Sequence, residues 1–181
     1  MTKRIILAVS GSISAYKSAD LTSQLKKKGY DIHVIMTEAA QAFITPLTLQ
    51  VLSKNPVHSD VMEEKLAERI NHIDLAKETD LFIVAPASAN TIAKLAHGMA
   101  DNMLTATALA LPSITPKLIA PAMNTKMYEN PLTKKNLETL QEVGYQEILP
   151  KSGLLACGDT GRGALADIAV IIESIDNTLT R

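Results

Sequence analysis

Residues 4–36 read RIILAVSGSISAYKSADLTSQLKKKGYDIHVIM, and this stretch decides the fold. Ile5-Ile6-Leu7-Ala8-Val9 is a short, unbroken apolar run, the pattern of a strand buried on both faces of a parallel sheet. Ser10-Gly11 closes it. From Ser14 to Lys28, Ala15, Ala19, Thr22 and Leu25 recur at helical spacing, and Gly29 stands where such a helix stops. Lys26, Lys27 and Lys28 fall in the last turn, where cations complement the helix dipole. Ile32 to Met36 is a second apolar strand. A strand, a helix and a parallel strand make one unit, whose crossover is right-handed.

The alternation continues along the chain. Helix is expected over Gln41–Ser53, with a break at Asn55-Pro56, and Val57–Asn71 carries no assignable pattern. Strand is expected over Leu81–Ala85, closed by Pro86, then helix over Ser88–His97, ended by Gly98, and helix over Asp101–Ala110. Lys117–Ala120 reads as strand. Leu132–Val143 reads as helix with Leu137, Leu140 and Val143 inward, and Gln146–Leu149 as a last strand. Asp167 is placed to cap a final helix with Ile168, Ile171, Ile172, Ile175 and Leu179 on one stripe. The expected fold class is α/β: a three-layer, doubly wound parallel sheet of Rossmann-like form, one domain over residues 1–181.

Composition narrows the function. With 46% hydrophobic and 20% charged residues, the chain is too apolar for disorder. Aromatics are 3% with no Trp, and the net charge is −1, so neither base stacking nor a general pull toward nucleic acid or anionic lipid is expected. No apolar stretch is long enough to span a bilayer. The single cysteine forms no internal disulfide, the four histidines lack metal-ligand spacing, and no secretory cleavage pattern follows the basic start, so a reducing cytoplasm is expected and no metal.

Ligand sites in such sheets lie beyond the carboxyl ends of the strands. Four polar segments fall there: Ser10–Ser14, Thr37-Glu38, Ala87–Thr91 and Ala122–Met127. Ser10-Gly11-Ser12-Ile13-Ser14 reads as a phosphate- or cofactor-binding turn or as plain turn chemistry; it lacks the G-x-G-x-x-G fingerprint. Ser88, Asn90 and Thr91 at a helix start suit a phosphate, and equally suit ordinary capping. Asn124 offers an amide that suits a carboxylate or a flavin edge, or a simple turn. His72, with Ile73 and Leu75 inward, reads as a packing residue or as a catalytic one. Pro150–Ala164 holds Gly153, Gly158, Gly161 and Gly163 around Cys157 and reads as a mobile flap or an irregular connection.

Taken together, Gly11-Ser12-Ile13 with Ala15-Tyr16-Lys17, His72-Ile73-x-Leu75, Pro86-Ala87-Ser88-Ala89-Asn90-Thr91, Ala100-Asp101-Asn102, Pro121-Ala122-Met123-Asn124-x-x-Met127 and Leu155-Ala156-Cys157-Gly158-Asp159-x-Gly161-x-Gly163 resemble the homo-oligomeric flavin-containing cysteine decarboxylases. The resemblance implies FMN held by Gly11, Ser12, Ile13, Thr37, Ser88, Ala89, Asn90, Thr91 and Ala122. It implies a catalytic His72 and Cys157, and substrate contacts from Asn124, Met127 and Ala156, with Lys77 where some relatives have Arg. It makes residues 150–164 a flexible substrate clamp and implies a homo-oligomer, a trimer or a dodecamer of trimers. The branch it matches best decarboxylates the cysteine moiety of a coenzyme A precursor. Other branches act on peptides ending in cysteine, or are non-catalytic phosphatase-inhibiting subunits with acidic extensions.

Overall fold

The computed structural model describes residues 2–63, 71–154, 158 and 160–180. In β1 (Arg4–Val9), Ile5, Leu7 and Val9 enter the core on one side of the sheet and Ile6 and Ala8 enter the core on the other. Burial on both faces is why the run shows no polar alternation. A 3-10 turn over Ile13–Tyr16, capped by Ser12, precedes α1 (Lys17–Lys27), so the helix expected from Ser14 begins three residues later. β2 (Asp31–Met36) lies parallel to β1.

One helix was expected over Gln41–Ser53; two form, α2 (Glu38–Gln41) and α3 (Pro46–Ser53). Thr37 and Thr45 accept from their first turns, and Pro46 occupies a helix-opening position where its missing N–H costs nothing. A short edge strand, β3 (Val57–His58), lies in the unassigned stretch, and α4 (Asn71–Glu78) follows. Leu75 of α4 is buried as expected, but Ile73 is only half-buried.

β4 (Leu81–Ala87) runs through Pro86 instead of stopping before it. The Pro86 carbonyl still accepts the Ser10 N–H at 3.2 Å, so the strand stays joined to β1. α5 (Ala89–Ala96) and α6 (Met103–Leu109) are capped by Ser88 and Asn102. β5 (Lys117–Pro121) leads to α7 (Thr125–Glu129), a short helix in a segment read as loop, and then α8 (Pro131–Glu142). Leu137 and Leu140 are buried, but Val143 is 58% exposed: it lies past the helix end, off the stripe. The last parallel strand is β6 (Tyr145–Glu147).

Among its described residues, Pro150–Ala164 forms regular structure instead of an irregular connection. β7 (Lys151–Leu154) and β8 (Thr160–Ala164) pair antiparallel as a separate hairpin. α9 (Ile168–Leu179) buries Ile171, Ile172 and Ile175 as its stripe predicts. Asp167 stands at its cap position but makes no cap bond; its carboxylate pairs with Lys151 instead.

The main sheet is six-stranded and parallel, in the order β3-β2-β1-β4-β5-β6. One core packs α1, α3 and α9 against it through Leu21, Leu25, Leu49 and Ile171; the other packs α4, α5, α6 and α8 through Leu75, Ile92, Leu104 and Leu140. Each such fully buried aliphatic side chain contributes roughly 1.5–3 kcal/mol. The strand order reverses between β1 and β4, which opens a crevice at their carboxyl ends.

The amino ends of the strands carry an ion network instead. Asp31 accepts from Arg4 at 3.2 Å, Asn55 at 2.8 Å and His33 at 3.0 Å; Asp80 accepts from Lys3 at 2.9 Å and the Arg4 N–H at 2.8 Å. Partial burial alone would raise both carboxyl pKa values, but these donors outweigh it and hold both below the ordinary range. A folded-state pKa lowered in this way adds stability above the unfolded value of about 3.9, and that stability is lost as pH falls through the folded value. Asp31→Asn is therefore expected to lower the thermal midpoint near pH 7 and to flatten its fall on acidification, as melts across the acid range will show.

Candidate active site

A cleft of about 450 Å³ opens at the β1/β4 reversal. That lies within the span of roughly 300–1,000 Å³ that small-molecule and cofactor pockets occupy. Its walls come from the segments that follow β1, β4 and β5, joined by the hairpin. After β1, Ser10 donates its hydroxyl to the Pro86 carbonyl at 2.8 Å and accepts the Ser88 N–H at 2.8 Å, locking the first segment to the second. A Cβ on Gly11 would sit 2.5 Å from the Ala39 side chain, so only glycine lets this turn lie so close to α2. The Ser12 hydroxyl donates to the Ala122 carbonyl at 3.2 Å, and the Ala122 N–H donates to the Ala87 carbonyl at 3.0 Å. The three segments therefore form one stitched rim.

At the head of α5, the Ser88 hydroxyl accepts the Thr91 N–H at 3.2 Å. Ser88 and Ala89 place this helix start in the cleft wall, and a helix start with its positive dipole end suits a phosphate. Asn124 Oδ1 accepts the Lys126 N–H at 2.8 Å and opens α7. That bond helps fix the amide's orientation. Tyr128 is buried beneath; its hydroxyl donates to Glu147 at 2.8 Å, and burial, then that carboxylate, raises its pKa. The phenol thus stays protonated and anchors α7 to β6.

Gly11, Ser12, Ile13, Ser88, Ala89, Ala122, Asn124 and Met127 all line the cleft. Three other residues expected at the cofactor do not. Thr37 caps α2, Thr91 is buried with its hydroxyl bonded to the Ser88 side chain at 3.2 Å, and Asn90 is exposed on the first turn of α5. His72 and exposed Lys77 lie on α4 and do not line the cleft either. His72 Nδ1 is buried and has no hydrogen-bond partner among the described residues. Ala156 and Cys157 lie outside the described residues. The structure adds Tyr16, Lys17, Met123, Gly163 and Ala164 to the lining. The 3-10 turn that delays α1 turns Tyr16 and Lys17 toward the cleft, and Lys17 is its one charged residue among those described.

A wider depression of about 830 Å³ lies at the opposite sheet edge. Its lining includes Arg4, Asp31, Glu78 and Asp80, which neutralise one another through the ion pairs above and in the Arg4–Glu78 pair. It belongs to the amino ends of the strands, where sheets of this kind do not hold ligands.

Fold and cleft define a doubly wound α/β protein with a cofactor-sized crevice at its switch point. The sequence matches the flavoprotein family over residues 1–180, and the chain belongs to that family. It is 64% identical over 179 residues to a probable phosphopantothenoylcysteine decarboxylase of Streptococcus mutans, covering 99% of this chain and all of that one. It is 47% identical over 171 residues to the coenzyme A biosynthesis bifunctional protein CoaBC of Bacillus subtilis, covering 94% of this chain but only 42% of that longer protein. Among solved structures, a Cys-to-Ser mutant of PPC decarboxylase complexed with pantothenoylaminoethenethiol superposes with a TM-score of 0.89 at 32% identity over the whole of both chains. The FMN-binding protein AtHal3 superposes at 0.84 with 33% identity, over 98% of this chain and 96% of that one.

The cleft fits a flavin mononucleotide. The close backbone approach at Gly11 and the helix head at Ser88–Ala89 suit a phosphate, and the apolar side chains of Ile13, Met123 and Met127 suit a flat ring.

Proposed function

We propose that this protein is an FMN-dependent phosphopantothenoylcysteine decarboxylase, converting 4'-phosphopantothenoylcysteine to 4'-phosphopantetheine in the cytoplasm. The end-to-end likeness to a relative of that name carries the reading. No helix among the described residues is long and apolar enough to cross a membrane, in keeping with a soluble substrate.

The chemistry explains why these residue types are needed. Loss of carbon dioxide leaves an electron pair on the α-carbon of cysteine, and a saturated thiol gives it nowhere to go. Bound FMN supplies a two-electron acceptor and donor, so that the thiol is oxidised to a thioaldehyde before the carboxylate leaves and the product is reduced afterwards. His72 takes the thiol proton, a role that imidazole side chains commonly fill. The Asn124 amide orients the carboxylate without a full countercharge, which would oppose its departure. Cys157 returns a proton to the enethiolate in the reductive half, within the clamp formed by residues 150–164. Ala156, Met127 and Lys77 contact the substrate, and Thr37, Asn90 and Thr91 belong to the flavin site.

His72 stands off the cleft of its own chain, so this reading also requires a homo-oligomer in which α4 of one copy meets the cleft of another. The exposed apolar residues Ile13 and Tyr16 at the rim, and Phe43, Leu47 and Val51 on and beside α3, offer surface for such contacts. A trimer, alone or gathered into a dodecamer, fits this arrangement.

The test is direct. Purified protein is expected to be yellow, or to become so with FMN, and to release carbon dioxide from 4'-phosphopantothenoylcysteine while forming a product 44 Da lighter, about the mass of the lost group. Folded protein that takes up no FMN, or that leaves this substrate unchanged, overturns the reading.

A further inference from the structure

β8 packs directly on the segment that carries Asn124. The Met123 N–H donates to the Gly163 carbonyl at 2.9 Å. A Cβ built on Gly163 would fall 2.3 Å from the Met123 carbonyl oxygen, 3.3 Å from the Thr125 nitrogen and 3.4 Å from the Asn124 carbonyl carbon. Two residues earlier, a Cβ on Gly161 would fall 2.6 Å from Thr125 Oγ1 and 2.7 Å from its Cγ2. At Gly163 the backbone of residues 123–125 fills the space a side chain would need, and at Gly161 the Thr125 side chain fills it. Thr125 Oγ1 is itself buried there without a partner among the described residues. The docking thus includes close backbone contact at Gly163 and a backbone hydrogen bond from Met123.

We infer that Gly163 is a positioning residue for Asn124: the bare backbone of β8 sets the height of the Met123–Thr125 segment, and with it the point from which the Asn124 amide addresses the substrate carboxylate. The segment is held on its other side by Ser12 and Ala87 through Ala122. With both sides fixed, Asn124 has one height, and a side chain at residue 163 lifts it. A misplacement of about 1 Å at a reacting group costs on the order of 100-fold in rate. This inference rests on the decarboxylase reading above.

The experiment compares wild-type, Gly163→Ala, Asn124→Ala and the double variant, each as FMN-loaded protein with 4'-phosphopantothenoylcysteine. Gly163→Ala is expected to keep its flavin and to lose kcat by about 100-fold, close to Asn124→Ala alone, while the double variant loses less than about 3-fold more. Losses that multiply in full, or a Gly163→Ala protein with wild-type kcat, overturn the inference. Should Gly163→Ala fail to fold, replacing the Met123 amide by an ester removes the hydrogen bond to Gly163 without crowding. The same fall in kcat with flavin retained is then expected, and unchanged kcat refutes the positioning role. The wild-type control separates the two claims: no turnover there overturns the decarboxylase reading itself, whereas turnover with multiplying losses overturns only the role of Gly163.

Discussion

His72→Asn is expected to bind FMN as the parent protein does and to lose decarboxylation by at least about 10³-fold, within the range a positioned acid–base group supplies. Asn keeps a polar side chain of similar reach but offers no group that accepts a proton near neutral pH. The loss should therefore fall on the first step. In a single turnover without oxygen, the flavin band of the parent protein bleaches and recovers on mixing with substrate, whereas that of the variant should stay unbleached. Substantial turnover by His72→Asn would remove His72 from the reaction. Because Nδ1 of His72 is buried without a partner among the described residues and His72 does not line the cleft, mixing His72→Asn subunits with Asn124→Ala subunits adds a sharper readout. If α4 of one copy serves the cleft of another, mixed oligomers recover activity that neither variant has alone.

Cys157→Ser should divide the reaction at its midpoint. A serine hydroxyl is a far weaker acid than a thiol, whose ordinary pKa is about 8.5, so it should fail as proton donor to the enethiolate while leaving the oxidative half intact. Carbon dioxide is then released, but the product stays oxidised, about 2 Da lighter than the saturated thiol, and reduced flavin is left behind. Mass spectrometry of the quenched mixture distinguishes the two products. Normal product at the normal rate would show that another group supplies the proton. The solved relative carrying a Cys-to-Ser change is complexed with pantothenoylaminoethenethiol, an enethiol, which is the kind of product this variant should accumulate.

The sheet, its parallel sense and the four segments at its carboxyl edge were legible in the order of residues, because a strand buried on two faces and an amphipathic helix leave different periods in the chain. Ile5–Val9, Leu81–Ala85 and the α9 stripe needed nothing else. Gly11 and Asn124 were legible as candidates because each follows a buried strand at the carboxyl edge of the sheet, where a plain turn accounts for either residue equally well. Errors came where a side chain had two possible partners. Asp167 could cap α9 or pair with Lys151, and it pairs. Val143 continues the α8 stripe in sequence, but the helix ends before it. Pro86 reads as a stop, yet β4 passes through it because its carbonyl is held by Ser10.

What the sequence alone determined is the set of chemical groups and the secondary elements that carry them, since both depend on neighbours a few residues away. Only the tertiary structure decided which groups meet. It drew Tyr16, Lys17 and Gly163 into the cleft, made Thr37 the cap of α2, buried Thr91 against the Ser88 side chain, and left His72 on a helix outside it. Those outcomes depend on where β1 and β4 diverge and on how closely β8 approaches residue 123, distances set by packing between segments far apart in the chain, which local periodicity does not record.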